Sequence, residues 1–413
     1  MPNGIRVVTD RVMSVRSVAL GLWLACGSRQ DEELTTGTAH FIEHMLFKGT
    51  LRRTAKQLAL EADRIGGQLN ALTSVEYTCY YIKTLDEYVD KAFDLLSDMF
   101  FNSLFAHGEI RKEKRVISQE YDMHEDDPEE LAQNIFLSSV WEKHPLSRNI
   151  TGTKGHIRRI TRSVMDDFRQ DFYTPDNLVV AAAGRLEHDE VCRYVDKYLA
   201  VLKGQKRLKT GTVPIFKGGC KAVDKPLEQL QIVWGVPGIT LSEEDWPAAI
   251  ILNNVLGGGA SSRLFQEMRE DKGLVYFVYS GFSSYSDTGL FTVNAGVKPK
   301  NGGAFLTALA DNIKELAENG ITEDELKNAK QHINSEWLLA LEGTGGRMQR
   351  IGRLAAMNLP LLSVEEVLDK IAGTSLADVA AMSARLFKDA EPAVVMLGPK
   401  NPVPGARGVR RNL

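Results

Sequence analysis

The sequence predicts an α+β fold in two homologous halves, each a sandwich of helices on a mainly antiparallel sheet. Three features of the chain predict it: a repeat of long segments, apolar strands near the start and at the end of each repeat, and a pair of β-rich stretches inside each repeat. At 413 residues the chain is also too long for a single core, which favours more than one domain.

The repeat is clearest in a long helical segment. The stretch that ends at Glu120 aligns with the stretch that ends at Glu336, and matching positions lie 216 residues apart. The matched pairs are Glu109 with Glu325, Ile110 with Leu326, Lys114 with Lys330, Ile117 with Ile333, and Glu120 with Glu336. The ends of the halves, 174–186 and 389–401, match at a distance of about 214 residues. Two matches at nearly one distance indicate duplication, although amphipathic helices also resemble one another by chance.

Each half contains the same succession of elements. An apolar strand (SVALGLWLACG or LEQLQIVWGV) is followed by a helix, two β-rich stretches, long helices and a final strand. The stretch between the halves is basic and glycine-rich and lacks helical periodicity. We therefore predict a first half at 1–205, a linker at 206–221 and a second half at 222–413, whose basic C-terminal tail is assigned no function.

Composition excludes several classes of protein. With 43% hydrophobic residues, 25% charged residues and a net charge of −4, the chain gives no reason to expect a nucleic-acid partner. Its four widely spaced cysteines form no CxxC pair and are typical of reduced thiols in a reducing compartment. The N-terminal residues do not have the pattern of a signal peptide, so we expect none, and no apolar run is long enough to span a membrane. We expect a cytoplasmic protein without membrane contact; an organellar protein numbered from its mature start is the alternative.

The stretch HFIEHMLFKGT, residues 40–50, carries two of the eight histidines of the chain. On a helix, His40 and His44 share one face, so both imidazoles can bind one ion, and Glu43 lies beside them within reach of a water. Neutral imidazoles suit Zn²⁺, and the HxxEH order inverts the HExxH zinc signature. The alternative is a histidine pair on an ordinary amphipathic helix, which the glutamate at this position disfavours.

A catalytic zinc ion needs a third protein ligand, and we expect a carboxylate from another rigid element. The segment EIRKEKRVISQEYDMHEDDPEE has a strong helical pattern in which Glu113 and Glu120 share one face. Most charges of this segment are typical of a solvated helix, but Val116, Ile117 and Tyr121 make the face of Glu120 partly apolar. This helix is therefore the candidate source of the third ligand.

Taken together, TTGTAHFIEHMLFKGT, EKRVISQE and GGQLNALTSVEYTCYY resemble the pitrilysin-type zinc metallopeptidases, which include insulin-degrading enzyme and the mitochondrial processing peptidase. Within that family, the chain resembles bacterial homologues of the beta subunit of the mitochondrial processing peptidase. The resemblance covers the whole chain and implies the fold of that family, in which only the first half carries zinc. It implies one Zn²⁺ per chain, held by His40, His44 and Glu120, with Glu113 supporting the site.

The resemblance also assigns roles in substrate binding. Asn70 and Ala71 match the family's substrate-binding strand, whose edge can pair with an extended peptide. Arg269 and Tyr276, seven residues apart, match residues of the second half that assist the substrate carbonyl. The alternative for this pair is an arginine at a helix end and a tyrosine packed in a sheet.

The second half lacks the residues for a metal site of its own. When Leu46 is aligned with Leu256, Asn253 falls on Glu43 and Asn254 falls on His44. Only the glutamate of the third-ligand position is kept, at residue 336. We expect this half to contribute to substrate binding instead.

These features predict a zinc-dependent endopeptidase that cleaves short or unfolded peptides, or leader segments, enclosed in a chamber. Zinc would lower the pKa of its bound water, and Glu43 would take the proton of that water and pass it to the leaving amine. The resemblance implies a homodimer or a pair with a homologous chain. The alternatives are a non-catalytic scaffold or subunit of a processing-peptidase-like complex, and a zinc hydrolase of another bond, such as an amidase.

Overall fold

The computed structural model describes residues 1–207 and 211–399 of the chain. Contacts divide the chain into two compact units. Unit 1 consists of Met1–Met123, Arg148–Gly211 and Leu338–Leu361, and unit 2 of His124–Ser147, Thr212–Trp337 and Leu362–Leu413. Each unit combines one sheet with several helices, which confirms the predicted α+β class. Within the described ranges, no helix combines the length and the apolar character that crossing a bilayer requires.

Unit 1 is built on a five-stranded mixed sheet of order β1-β5-β2-β4-β3, as far as its residues are described. Strands β1 and β5 are parallel and the other neighbours are antiparallel, so the sheet is mainly antiparallel. The elements are β1 Arg6–Arg11, β2 Ser17–Leu24, α1 Thr38–Leu46, α2 Ala55–Arg64, β3 Gln68–Thr73, β4 Thr78–Leu85, α3 Val89–Asn102, α4 His107–Asp126 (to Met123), α6 Lys154–Arg159, α7 Arg162–Phe172, β5 Leu178–Gly184, α8 His188–Leu199 and α12 Thr344–Ala356.

Unit 2 repeats this topology in the order β6-β10-β7-β9-β8, again over its described residues. Its elements are α5 Pro128–Val140, β6 Gly219–Asp224, β7 Leu230–Pro237, α9 Trp246–Gly257, a π-helix Phe265–Asp271, β8 Val275–Ser284, β9 Gly289–Val297, α10 Gly302–Asn319, α11 Glu323–Ala340 (to Trp337), α13 Val364–Gly373, α14 Leu376–Phe387 and β10 Ala393–Gly398. Even a single contact recurs, since Lys114 Nζ donates to Arg158 O and Lys330 Nζ to Ala372 O, both at 2.7 Å. The two halves are therefore structurally homologous, as predicted.

The compact units do not follow the two predicted halves of the sequence, because the halves exchange one helix. Helix α12, from the second half, packs on β1, β2 and β5 of unit 1, and α5, from the first half, packs on β7 and β10 of unit 2. Strand β6 also begins inside the segment predicted as the linker 206–221. Residues 208–210 of that linker, and the C-terminal tail from residue 400, lie outside the described residues.

The exchange follows from the apolar character of both faces of the sheet. In β2, Leu20 and Leu22 face the core formed with α1, α3, α7 and α8, while Ala19 and Trp23 face the opposite side. On that opposite side, Met348 and other residues of α12 complete a second core, and Trp23 Nε1 donates to Met348 Sδ at 3.3 Å. An apolar face left in water would cost free energy in proportion to its area, so α12 is required there.

Helix α12 approaches the sheet closely at Gly352, and we predict that Gly352→Ala destabilises the protein. An added Cβ would lie 2.2 Å from Trp23 Nε1, so the core would have to shift, at a cost of roughly 1–3 kcal/mol. Gly345, in the same helix, has no neighbour within 4 Å of an added Cβ and serves as the control. Urea unfolding followed by circular dichroism should show a loss for Gly352→Ala and none for Gly345→Ala. Equal stability of the two variants would contradict the close packing.

Candidate metal centre

Helix α1 starts at a backbone arrangement that fixes its direction. The Asp31 carboxylate accepts hydrogen bonds from Gly37 N at 2.7 Å and Ala39 N at 3.0 Å, which satisfies amides that the helix leaves unpaired. Gly37 has φ +98°, and an added Cβ would lie 2.4 Å from Thr151 O, so only glycine fits. The helix therefore begins at a defined place, and His40 and His44, about one and two turns later, are positioned with it.

The structure brings His40, His44 and Glu120 together. The imidazole rings of the two histidines are 4.6 Å apart between centroids. Glu120, on α4, lies 3.7 Å from His40 Nε2 through Oε1 and 3.6 Å from His44 Nε2 through Oε2. One ligand atom from each residue lies within 4.8 Å of the others. Tetrahedral zinc with bonds of roughly 2 Å holds its ligand atoms roughly 3.3 Å apart, so this donor set fits the ion.

A buried carboxylate orients the second histidine. Glu113 is 3% exposed, and its Oε2 lies 3.1 Å from His44 Nδ1. Its Oε1 forms an ion pair with Lys48 Nζ at 2.9 Å. With Nδ1–H donated to the carboxylate, the neutral imidazole presents the lone pair of Nε2 toward Glu120. Glu113 thus supports the ligand arrangement, and Lys48 balances its charge.

Glu43 lies on α1 between the two histidines, and its side chain meets strand β3. Thr73 Oγ1 donates a hydrogen bond to Glu43 Oε2. Burial raises the pKa of Glu43 above its ordinary value, and the hydrogen bond from Thr73 opposes part of that rise. The structure therefore places a partly buried carboxylate beside the metal ligands, with one of its oxygens held by a hydroxyl.

The residues expected to bind substrate lie on β3, which forms one end of its sheet. Asn70 pairs with Tyr81 and Ala71 with Tyr80 of β4, and no strand among the described residues pairs with the other side of β3. Asn70 is exposed, and its Oδ1 accepts a hydrogen bond from Ala71 N at 2.8 Å. The strand thus has an open edge of the kind that can pair with an added peptide strand.

Arg269 and Tyr276 lie in unit 2, at two irregularities of the backbone. Arg269 belongs to the π-helix, and its guanidinium lies over the Phe265 ring, 4.8 Å from the centroid. Tyr276 is 48% exposed, at a register shift between Val275 and Phe277 of the edge strand β8. Bulges and π-helical turns are frequent at functional sites because they re-aim side chains. Arg269 lies in the last turn of its helix, as the alternative interpretation expects, whereas Tyr276 is too exposed to be a residue packed in a sheet.

The corresponding region of unit 2 has asparagines, and not a glutamate and a histidine, at the positions of Glu43 and His44. Asn254 Nδ2 lies 2.9 Å from His332 Nδ1, and His332 Nε2 lies 3.7 Å from Glu336 Oε1 on the same helix. Asn253 Oδ1 accepts a hydrogen bond from Ser280 Oγ at 2.7 Å. In residues 1–207 and 211–399, the one cluster of three potential metal-ligating side chains is that of His40, His44 and Glu120.

Two residues at the site were not predicted from the sequence, Lys48 and Thr73. Lys48 is four residues after His44, a spacing that would have placed it beside the histidine, but the helix pattern ends before it. Thr73 is two residues after Ala71 in β3 and therefore on the same face of the strand. The sequence shows the spacing of Lys48 from His44 and of Thr73 from Ala71. It does not show their partner carboxylates, Glu113 and Glu43, which are distant in sequence.

Comparison with known families identifies both halves of the chain. The family described as Insulinase (Peptidase family M16) matches residues 6–154, and the family described as Peptidase M16 inactive domain matches residues 159–333. The second match falls on the part of the chain that, where described, holds no cluster of three potential metal ligands.

Relatives align over nearly the whole chain. The uncharacterized zinc protease YmxG of Bacillus subtilis is 36% identical over 406 residues, covering 97% of this chain and 98% of the relative. An uncharacterized zinc protease of Rickettsia bellii is 34% identical over 403 residues, with 97% of each chain covered.

Two solved structures share the fold at a TM-score of 0.90 and 23% identity. The structure of a peptidase M16 inactive domain from Pseudomonas fluorescens covers 96% of both chains, and that of a protease from Helicobacter pylori covers 97% of this chain and 98% of its own. The family matches span most of the chain, and the relatives are more than 30% identical along its length. This protein therefore belongs to peptidase family M16, the insulinase family, as its pitrilysin-type motifs indicated.

Proposed function

We propose that this protein is a zinc-dependent endopeptidase that cleaves short or unfolded peptides, including leader segments. The observation that carries the proposal is the convergence of His40, His44 and Glu120 on one point, with Glu43 between the two histidines on α1. The names of the relatives, zinc proteases, support a peptide bond over another hydrolysable bond.

The reaction needs a metal and a base in this arrangement. When bound, zinc polarises the scissile carbonyl and lowers the pKa of water. His40, His44 and Glu120 would hold the ion, and the Glu113 carboxylate keeps His44 in the tautomer that can bind it. Glu43 takes a proton from the attacking water and delivers it to the leaving amine, as general base and then general acid.

Substrate binding by the open edge of β3 explains the proposed preference for unfolded chains. Main-chain hydrogen bonds to the Asn70–Ala71 segment require an extended peptide, which a folded protein does not offer. Arg269 and Tyr276 are assigned to the substrate carbonyl and to the negative charge that develops on its oxygen. The exposed hydroxyl side chain of Tyr276 supports this assignment.

The metal assignment predicts that the pure protein binds about one zinc ion per chain and that His44→Ala and Glu120→Gln lose most of it. Two remaining ligands hold the ion poorly, so the loss should appear in atomic emission measurements after dialysis. The control is His332→Ala, on the matching helix of unit 2, which should keep full zinc. Full occupancy in both ligand variants would exclude the assigned ligands.

The assignment of Glu43 predicts that Glu43→Gln binds zinc normally but cleaves a quenched fluorescent peptide at least ~10²-fold more slowly. The amide keeps the size of the side chain and cannot accept the proton. Zinc content and melting temperature should match those of the wild type. Near-normal turnover would remove Glu43 from the mechanism and favour the scaffold alternative.

The role of the second half predicts that Tyr276→Phe lowers turnover roughly 10- to 1,000-fold at unchanged zinc content, because one hydrogen bond to the oxyanion is lost. Tyr279→Phe is the matched control on the same strand. The Tyr279 hydroxyl donates to Glu129 at 2.6 Å, so its removal should affect stability and not turnover. Equal turnover of Tyr276→Phe and the wild type would refute the assignment.

A further inference from the structure

We propose that Thr73 is a positioning residue for Glu43, which fixes one oxygen of the carboxylate and leaves the other to act as the base. The inference rests on the proposed function, and it concerns a residue for which the sequence motifs gave no role. The geometry that carries it is the hydrogen bond from Thr73 Oγ1 to Glu43 Oε2.

A glutamate side chain needs such a contact to act at one defined place. It turns about several single bonds, and fixing them costs conformational entropy unless a partner holds the group. A hydrogen bond to a charged acceptor is among the stronger ones, and it sets the plane of the carboxylate as well as its position. With Oε2 engaged by Thr73, Oε1 is the oxygen left to accept the proton.

Thr73 is itself held firmly by its surroundings. It is the last residue of β3 and pairs with Thr78 of β4. The turn that follows is closed by Ser74 N donating to Tyr77 O at 2.8 Å. The hydroxyl is therefore presented by a strand and not by a free loop.

A second segment clamps this turn from outside. Ser28 N donates to Ser74 O at 3.1 Å, and Arg29 N donates to Val75 O at 2.9 Å. The Arg29 guanidinium forms a buried ion pair with Glu76 at 2.6 Å. An added Cβ at Gly27 would lie 2.1 Å from Ser74 O, so the approach is closer than any other residue permits. Strand pairing, the turn and this second segment together fix the position of Thr73, as a positioning role requires.

Unit 2 contains a contact of the same kind with a different acceptor. There Ser280 Oγ, from strand β8, donates to Asn253 Oδ1 on α9 at 2.7 Å. Asn253 is the residue that the repeat aligns with Glu43. The fold therefore builds a strand hydroxyl against this helix position in both units. Only in unit 1 does the hydroxyl meet a carboxylate, which can both accept its hydrogen bond and take up a proton.

The test compares two substitutions at residue 73 in the zinc-loaded full-length protein. Thr73→Val keeps the shape and removes the hydroxyl, and we expect kcat on a quenched peptide to fall roughly 10- to 100-fold while KM changes less than ~3-fold. Thr73→Ser keeps the hydroxyl and should restore kcat to within ~5-fold of the wild type. Equal losses in both variants, or full activity of Thr73→Val, would overturn the proposal.

A matched control separates positioning from general stability. Thr84, in β4 of the same sheet, donates through Oγ1 to Ile65 O at 2.6 Å and is equally a strand threonine. Thr84→Val should lower the melting temperature without changing kcat. Combining Thr73→Val with Glu43→Gln should cause no loss beyond that of Glu43→Gln alone, because the hydroxyl acts through the carboxylate. Additive losses would mean that Thr73 acts by another route.

A readout that needs no activity completes the test. Crystal structures of the wild type and Thr73→Val should show the Glu43 carboxylate in one orientation in the first and rotated or spread over several in the second. An unchanged, well-ordered carboxylate in Thr73→Val would refute the positioning role. Failure of the proposed function looks different: the wild type cleaves no peptide, or Glu43→Gln keeps its turnover, whatever the orientation of the side chain.

Discussion

The candidate site depends on the contacts that the buried Glu113 carboxylate makes with His44 and Lys48. Burying a carboxylate without compensation costs several kcal/mol, so α4 can dock against α1 only where His44 and Lys48 meet Glu113. The same docking brings Glu120, two turns along α4, to the Nε2 atoms of the two histidines. This electrostatic requirement orients His44 and, together with the burial of Ile110 and Ile117 in the core, sets the position of α4 and of the third ligand. The position of α1 is set at its start, where backbone amides donate hydrogen bonds to the Asp31 carboxylate.

Local patterns in the sequence predicted much of the fold. The helix expected around HFIEHMLF is α1, Thr38–Leu46, and the strands expected from the apolar and β-rich runs are present in both units. The chemistry of the metal site was also readable, because His40 and His44 share a helix and their spacing is a local property. Glu120 needed the family resemblance, since no local rule connects residues on two separate helices.

What the sequence did not show are contacts between residues far apart in the chain. The amphipathic segments that form α5 and α12 reveal an apolar face but not the sheet that this face will cover, and each covers the sheet of the other half. The first three residues of β6 fall within the predicted linker, because that segment is basic, glycine-rich and without helical periodicity, and the parallel pairing of β6 with β10 is non-local. The roles of Thr73 and Lys48 could be assigned only from the structure, which shows their contacts with Glu43 and Glu113. Hydrogen bonds and ion pairs between distant segments leave no periodicity in the sequence to detect.

Because α12 completes unit 1, the chain cannot finish folding in the order in which it is synthesised. The three candidate metal ligands are all translated by Glu120, yet the helix that covers the second face of their sheet ends only at Ala356. Until α12 emerges, that face, with Trp23 and its neighbours, is exposed to water and to other chains. Most of unit 2 is therefore translated before unit 1 can be completed. A nascent chain arrested before residue 344 would carry the ligands of the metal on a sheet that is still half uncovered.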